Sequence, residues 1–253
     1  MSELPSTGSG MPSGLRILVA GASGASGQAV SAALRAAGAQ VIAVGSNPEH
    51  LQSAYANDDG VLTFACDLAD AGAVRDLAAR VAAEVGSLDG LVHLVGGWRG
   101  GKGIAGQTDE DWDFLHRNLV TTLRNTTRAF YDDLVASSHG RAVIVSATAV
   151  GSPTAGGANY AAAKAAAESW MFSVADGFRR DRAAGPGAKE TAGAEHSAAV
   201  VLVIKALVDD RMRAANPEKP FTGFTDVADL ATAVKNLFGR PAAEINGRRI
   251  PLV

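Results

Sequence analysis

The chain is poor in the residues that would place it in several protein classes. It has a single cysteine, Cys66, among 253 residues, so no intrachain disulfide can form and a reduced, cytoplasmic setting is expected. No run approaches the ~18 consecutive apolar residues that a membrane span needs. The first thirteen residues, MSELPSTGSGMPS, lack an apolar core, so a secretory leader is not expected and residues 1–13 read as a disordered tail. No excess of one charge exists: 23 Lys plus Arg stand against 26 Asp plus Glu, a net charge of −3. Such a surface attracts neither nucleic acid nor an anionic membrane. The five histidines, at 50, 93, 116, 139 and 196, show no metal-ligand spacing, so no metal is expected. Disorder of the whole is excluded by 47% apolar and only 19% charged residues, enough to bury a large core.

Short apolar runs alternate with longer helical segments. The runs are Leu15–Ala20, Val41–Val44, Val61–Cys66, Leu91–Val95, Arg141–Val145, Ala198–Ile204 and Ile245–Leu252. Between them, helices are expected at Gln28–Ala37, Ala71–Val85, from the Thr108–Asp111 capping signal to Ala136, at Ala158–Arg180 and at Val227–Leu237. Strands of continuous rather than alternating apolarity are buried on both faces. The pattern predicts one doubly wound, Rossmann-type α/β domain over residues 14–253, with about seven parallel strands and helices on both faces. Two segments break the rhythm. Residues 181–197, rich in Gly, Ala and charge, read as a mobile loop. Residues 206–225, with two prolines, follow the sixth strand and read as a lid over the ligand crevice.

The first strand leads into Gly21-Ala-Ser23-Gly24-Ala25-Ser26-Gly27, and a helix follows. A glycine loop there permits a tight turn, and the helix N-terminus offers free N–H groups to a phosphate. A plain flexible turn is the alternative; the strand–loop–helix context favours dinucleotide binding. The second strand ends at Gly45, followed by Ser46 and Asn47, where an NAD site usually carries an acid for the ribose. Without that acid a 2′-phosphate meets no repulsion, so NADP(H) is favoured over NAD(H). Tyr160 and Lys164 stand four apart, on one helix face. A cation there would lower the phenol pKa and equip Tyr160 for acid–base work. Trp98 could stack on a flat substrate and Arg99 could attract an anion, or both could sit in a solvated glycine-rich loop.

Taken together, the glycine loop, Asp67 after the third strand, LVHLVGG after the fourth, Asn118 and YAAAK resemble the short-chain dehydrogenase/reductase family over residues 15–253. The resemblance implies hydride transfer between a nicotinamide and a small carbonyl or imine-like centre. It makes Tyr160 the proton donor and Lys164 the group that holds the nicotinamide ribose. Asn118 would help anchor a water chain to the lysine. Asp67 and Leu68 would contact the adenine, and Gly96 and Gly97 would lie along the cofactor. It also implies a homodimer or homotetramer. The sequence departs from the family at His93-Leu94-Val95-Gly96, where Asn-Asn-Ala-Gly is usual, and at Ala147, where the catalytic serine is usual. Ser146 or Thr148 could substitute, although strand neighbours point to opposite faces. GGWRGG at Gly96–Gly101 and Ala147 resemble the dihydropteridine reductases, which suggests a pterin among the substrates; Lys205 and Asp210 depart from that branch. The rival reading is an NADP(H)-binding sensor or partner protein without chemistry.

Overall fold

A computed structural model describes residues 10–183 and 196–252. Its strands are β1 (Arg16–Ala20), β2 (Gln40–Gly45), β3 (Val61–Ala65), β4 (Gly90–His93), β5 (Arg141–Ala147), β6 (Ala198–Ile204), β7 (Leu207–Val208), β8 (Thr225–Asp226) and β9 (Arg248–Pro251). The α-helices are α1 (Ala25–Ala36), α2 (Pro48–Tyr55), α3 (Ala71–Glu84), α4 (Asp109–His116), α5 (Thr122–Ala136), α6 (Ala158–Ala183), α7 (Asp210–Ala215), α8 (Val227–Leu237) and α9 (Ala242–Ile245). Seven strands form one sheet in the order β3-β2-β1-β4-β5-β6-β9, every pair parallel. The expected seven-stranded, doubly wound sheet is therefore present.

The continuous apolar runs have a simple cause. Along β1, Leu18 and Ala20 face the core shared with α3, α5 and α6, while Ile17 and Val19 face the core shared with α1 and α8. Both faces are dry, so a polar side chain on a strand is costly unless it finds a partner. Arg141 satisfies this demand. Its guanidinium is buried and donates to the carbonyls of Leu237, Gly140, His196 and Arg240 at 2.6–3.0 Å. Desolvation pulls its pKa down to about 10.

Several boundaries differ from expectation. α1 starts at Ala25, three residues early, so the end of the glycine loop is already helical. β4 stops at His93 rather than Val95, although Leu94 N–H still donates to the Ala20 carbonyl at 2.8 Å. The long helix contains a π-helical turn, Arg117–Thr121, and α6 runs to Ala183. Ile245 closes α9 instead of opening the last strand. The turn is made by Asn246, whose side chain bonds Ala199 N and Ala175 O, and by Gly247 at φ +71°. Of the expected tail, Met11 packs on the core, and just after it Gly14 N donates to Gly38 O at 2.8 Å. Residues 1–9, and 184–195 of the expected 181–197 loop, lie outside the described residues. The segment expected to be a lid is pinched at its base, because β7 and β8 pair with each other and α7 stands between them.

Arg141→Ala removes four donors and leaves their carbonyls in the interior. Each unpaired buried acceptor costs about 1–3 kcal/mol. The variant is expected to lose at least ~3 kcal/mol of stability, read as a lower urea midpoint with an unchanged slope.

Candidate active site

The parallel sheet brings all its strand carboxyl ends to one edge, and the loops there enclose a cavity of about 800 Å³. Its wall is built from five regions: Ser26 at the start of α1, residues 93–98 after β4, residues 145–147 of β5, Tyr160 and Lys164 of α6, and residues 204–207 after β6. Residues 154, 156 and 157 form part of its rim.

The glycine loop is shaped by close approach. A Cβ at Gly27 would stand 2.6 Å from Ala22 Cα and closer still to the Gly21 carbonyl oxygen. Gly21 has φ +80°, and its Cβ would lie 3.0 Å from Leu94 C and Val95 N. The two glycines let α1 begin directly against the ends of β1 and β4. Gly24 provides no side-chain cap, and no acidic residue occupies the first turn of α1. The N–H groups at this end are thus free of a competing carboxylate, the arrangement that suits a phosphate. These residues fit the pyrophosphate of a dinucleotide.

Tyr160 and Lys164 both line the cavity, with the lysine Nζ 5.9 Å from the tyrosine ring centroid. Lys164 Nζ donates to the Val145 carbonyl at 2.7 Å. Burial pulls its pKa down to about 8, against a smaller opposing pull from Glu168. The Tyr160 phenol is held above its ordinary value by burial, so the expected lowering is reversed. A phenol with a raised pKa is protonated at neutral pH and stands ready to donate.

The other expected site residues lie partly in the cavity wall and partly outside it. Ser146 borders the cavity, and its Oγ is buried and has no hydrogen-bond partner. Thr148 is exposed and starts a 3₁₀ turn outside the lining. The rim hydroxyl is instead that of Thr154, six residues before Tyr160. Asn118 sits in the π-helical turn. Its Nδ2 donates to Phe114 O at 2.9 Å, and its carbonyl accepts from Thr122 Oγ1 at 2.6 Å. Asp67 forms a surface ion pair with Arg117 at 2.6 Å, while its other oxygen accepts from Ala69 N. Leu68 is buried, and its carbonyl accepts from Asn125 Nδ2 at 3.0 Å. Ser46 is exposed, and the Asn47 side chain is spent capping α2 through His50 N at 2.9 Å. Gly96, Gly97 and Trp98 line the cavity, with Trp98 67% exposed. Arg99 turns away from it, over the Phe114 ring at 3.9 Å and toward Asp111 at 3.6 Å. Lys205 was legible only as a departure from a pattern; it lines the cavity and donates to Thr222 O at 3.1 Å.

Residues 16–198 match the short chain dehydrogenase family. The chain belongs to that family. It is 33% identical over 153 residues to 2,3-dihydro-2,3-dihydroxybenzoate dehydrogenase of Bacillus subtilis, covering 59% of this chain and 58% of that protein. The chain thus aligns with about six tenths of that relative's length. It is 28% identical to the 3-oxoacyl-(acyl-carrier-protein) reductase FabG of Escherichia coli, over 92% of this chain and 93% of the relative. In fold it is similar to an NADPH-bound short chain oxidoreductase of Pseudomonas aeruginosa PAO1 whose catalytic center is described as atypical. There the TM-score is 0.78, at 21% identity over 95% of this chain and 96% of the other. No helix among the described residues is long and apolar enough to cross a membrane.

Gly27→Ala puts a methyl group against the Ala22 and Gly21 backbone. The expected outcome is a displaced α1 and at least tenfold weaker binding of dinucleotide, on the order of 1.4 kcal/mol, measured by nicotinamide fluorescence titration.

Proposed function

We propose that this protein is an NAD(P)(H)-dependent oxidoreductase acting on a small carbonyl or imine-like substrate, with Tyr160 as general acid. One observation carries the reading: Tyr160 and Lys164 line the same cavity that the uncapped start of α1 opens onto. A bound nicotinamide dinucleotide supplies the hydride. Ser26 and its neighbours Gly24, Ala25 and Gly27 hold the pyrophosphate, with Gly21 and Ser23 shaping the approach. Lys164 holds the nicotinamide ribose and keeps a positive charge beside the phenol. Tyr160 delivers its proton to the oxygen or nitrogen that gains electron density. Gly96 and Gly97 leave room for the cofactor, and Trp98 offers a flat apolar face to the substrate. Asp67 and Leu68 border the adenine end, where the Arg117 pairing limits the role of the Asp67 carboxylate.

NADP(H) is the favoured cofactor. β2 ends in Gly45, packed against the Leu51 side chain, so no acid stands at that position. Neutral Ser46 follows, and no carboxylate repels a 2′-phosphate there. The relatives are by name a dihydrodihydroxybenzoate dehydrogenase and an oxoacyl reductase, which puts carbonyl–alcohol couples first in a substrate screen and quinonoid pterins second. A catalytically silent sensor is less well supported, because such a protein has no use for the paired Tyr160 and Lys164. The α5–α6 face, with Trp170 half-buried and Phe172 39% exposed, suits association into a homodimer or homotetramer.

NADPH is expected to bind at least tenfold more tightly than NADH in a fluorescence titration; equal or reversed affinities would remove the Gly45 argument. Tyr160→Phe is expected to bind NADPH as the native protein does and to lose about 10²–10⁴-fold in kcat, the usual share of a general acid. Retained turnover in that variant would exclude the mechanism.

A further inference from the structure

Among the described residues, two buried side-chain atoms have no hydrogen-bond partner: His93 Nε2 and Ser146 Oγ. Both belong to the wall of the cavity, and they are neighbours by register. β4 and β5 are parallel with His93 opposite Ile144, so Ser146 stands one two-residue step further along the same face. That face carries Leu91, Ala142 and Ile144 toward α5 and α6, the side from which Lys164 enters. His93 is 4% exposed and Ser146 1% exposed. Two orphaned polar atoms on adjacent strands are costly, about 1–3 kcal/mol each if left unmet. Their cost is removed by a shared internal water, which needs two to four polar partners.

Lys164 completes the set. Its ammonium has three donors, and the bond to the Val145 carbonyl uses one. Val145 precedes Ser146, so the lysine is tethered at the residue beside the orphaned hydroxyl. We propose that His93 and Ser146 form a built site for an internal water that accepts a hydrogen bond from Lys164, making the two residues positioning groups for the lysine. The inference rests on the proposed role of Lys164 only for its effect on turnover, since the water site stands on geometry alone.

The chemistry of the ring agrees. Burial, and next the Lys164 charge, press the His93 pKa down to about 3, so the imidazole is neutral over the working pH range. A neutral imidazole carries one N–H and one acceptor nitrogen, and with its proton on Nδ1 the unpartnered Nε2 is an acceptor. An acceptor relayed through water stabilises the ammonium form of Lys164. The other charged or titratable groups around that ammonium are Tyr160 and Glu168 on α6, Arg249 of β9, which pairs with Glu168 at 3.0 Å, and Lys205 across the cavity. None of these supplies an acceptor from β4. His93→Leu therefore withdraws support from the charged lysine and lowers its pKa.

Three measurements test this. A high-resolution crystal structure is expected to show a water within hydrogen-bond distance of His93 Nε2, Ser146 Oγ and Lys164 Nζ. Direct pairing of His93 with Ser146, or no water there, would overturn the proposal. The Lys164 pKa, followed by nitrogen NMR of the lysine amine, is expected to fall by about one unit in His93→Leu, the scale of one hydrogen bond to a charged group. It should fall by less in Ser146→Ala, and His93→Gln, which keeps an acceptor, should restore it. An unchanged pKa in a folded His93→Leu protein would overturn the proposal. With an active substrate, the alkaline limb of kcat/KM should move down by the same amount; an unmoved limb would likewise count against it. If the native protein turns over nothing, the proposed function fails, while the crystal structure and the lysine titration still decide this inference.

Discussion

Lys164 places its ammonium against the Val145 carbonyl at 2.7 Å, and the working end of the molecule is organised around that bond. It ties the first turns of α6 to the end of β5. A second tether acts one turn later, where Arg249 of β9 grips buried Glu168 through Nε and donates to Ala147 O at 3.2 Å. Next to each tether, Ala163 and Ala167 are buried and small, so the helix lies close to its neighbours. Tyr160 is carried on this fixed helix, one turn before the lysine. Its phenol is thus placed by covalent geometry and two polar bonds rather than by a loop, the condition for a preorganised donor.

The same constraint accounts for the electrostatics. A sheet buried on both faces leaves no strand interior in which a charge can be hydrated. Among the described residues, buried Arg141 is met by four carbonyls and part-buried Lys164 by one, while exposed Arg249 meets the buried Glu168 carboxylate and a carbonyl. Where a bond partner is scarce, the charge becomes cheaper to lose, and the Lys164 pKa drops to about 8. Burial acts in the opposite sense on the Tyr160 phenol and keeps it protonated. One desolvated edge therefore favours the neutral form of both groups, keeping the phenol protonated while the lysine becomes easier to deprotonate.

Much of this was legible in the sequence, and the failures share a cause. Continuous apolar runs report burial on both faces, so six strands were placed within two residues; the seventh was expected too early, because Asn246 and Gly247 make the turn that starts it. Glycine at 21 and 27 reports a steric demand that no other residue meets, so the loop was readable too. The π-helical turn at Arg117–Thr121 leaves no pattern in side-chain polarity, and helical periodicity runs straight through it. Arg99 was assigned by position in the chain, yet it found local partners in Phe114 and Asp111; the Arg117 partner of Asp67 was likewise invisible in the sequence. Surface charges are recruited by whichever element folds beside them, and that information is tertiary. The phenol pKa was misjudged because a neighbouring cation is visible at i+4, whereas desolvation is visible only once the cavity walls are in place.

The alanine at 147 has a consequence for how the reacting atom is stabilised. Strand alternation gives Ser146 and Ala147 side chains on opposite faces, and the Ala147 carbonyl accepts from Arg249. A frame shift that would bring the Ser146 hydroxyl into the cavity would also move Val145 away from Lys164 and break the bond that fixes α6. The lysine bond thus opposes such a shift of the strand. On the proposed mechanism, stabilisation of the electron-rich atom falls to Tyr160, helped at the rim by Thr154. Such a site suits a substrate whose charge is neutralised by proton transfer as it develops, because a long-lived oxyanion would need a second preorganised donor. The tether that positions the acid thus also limits the chemistry that the acid can serve.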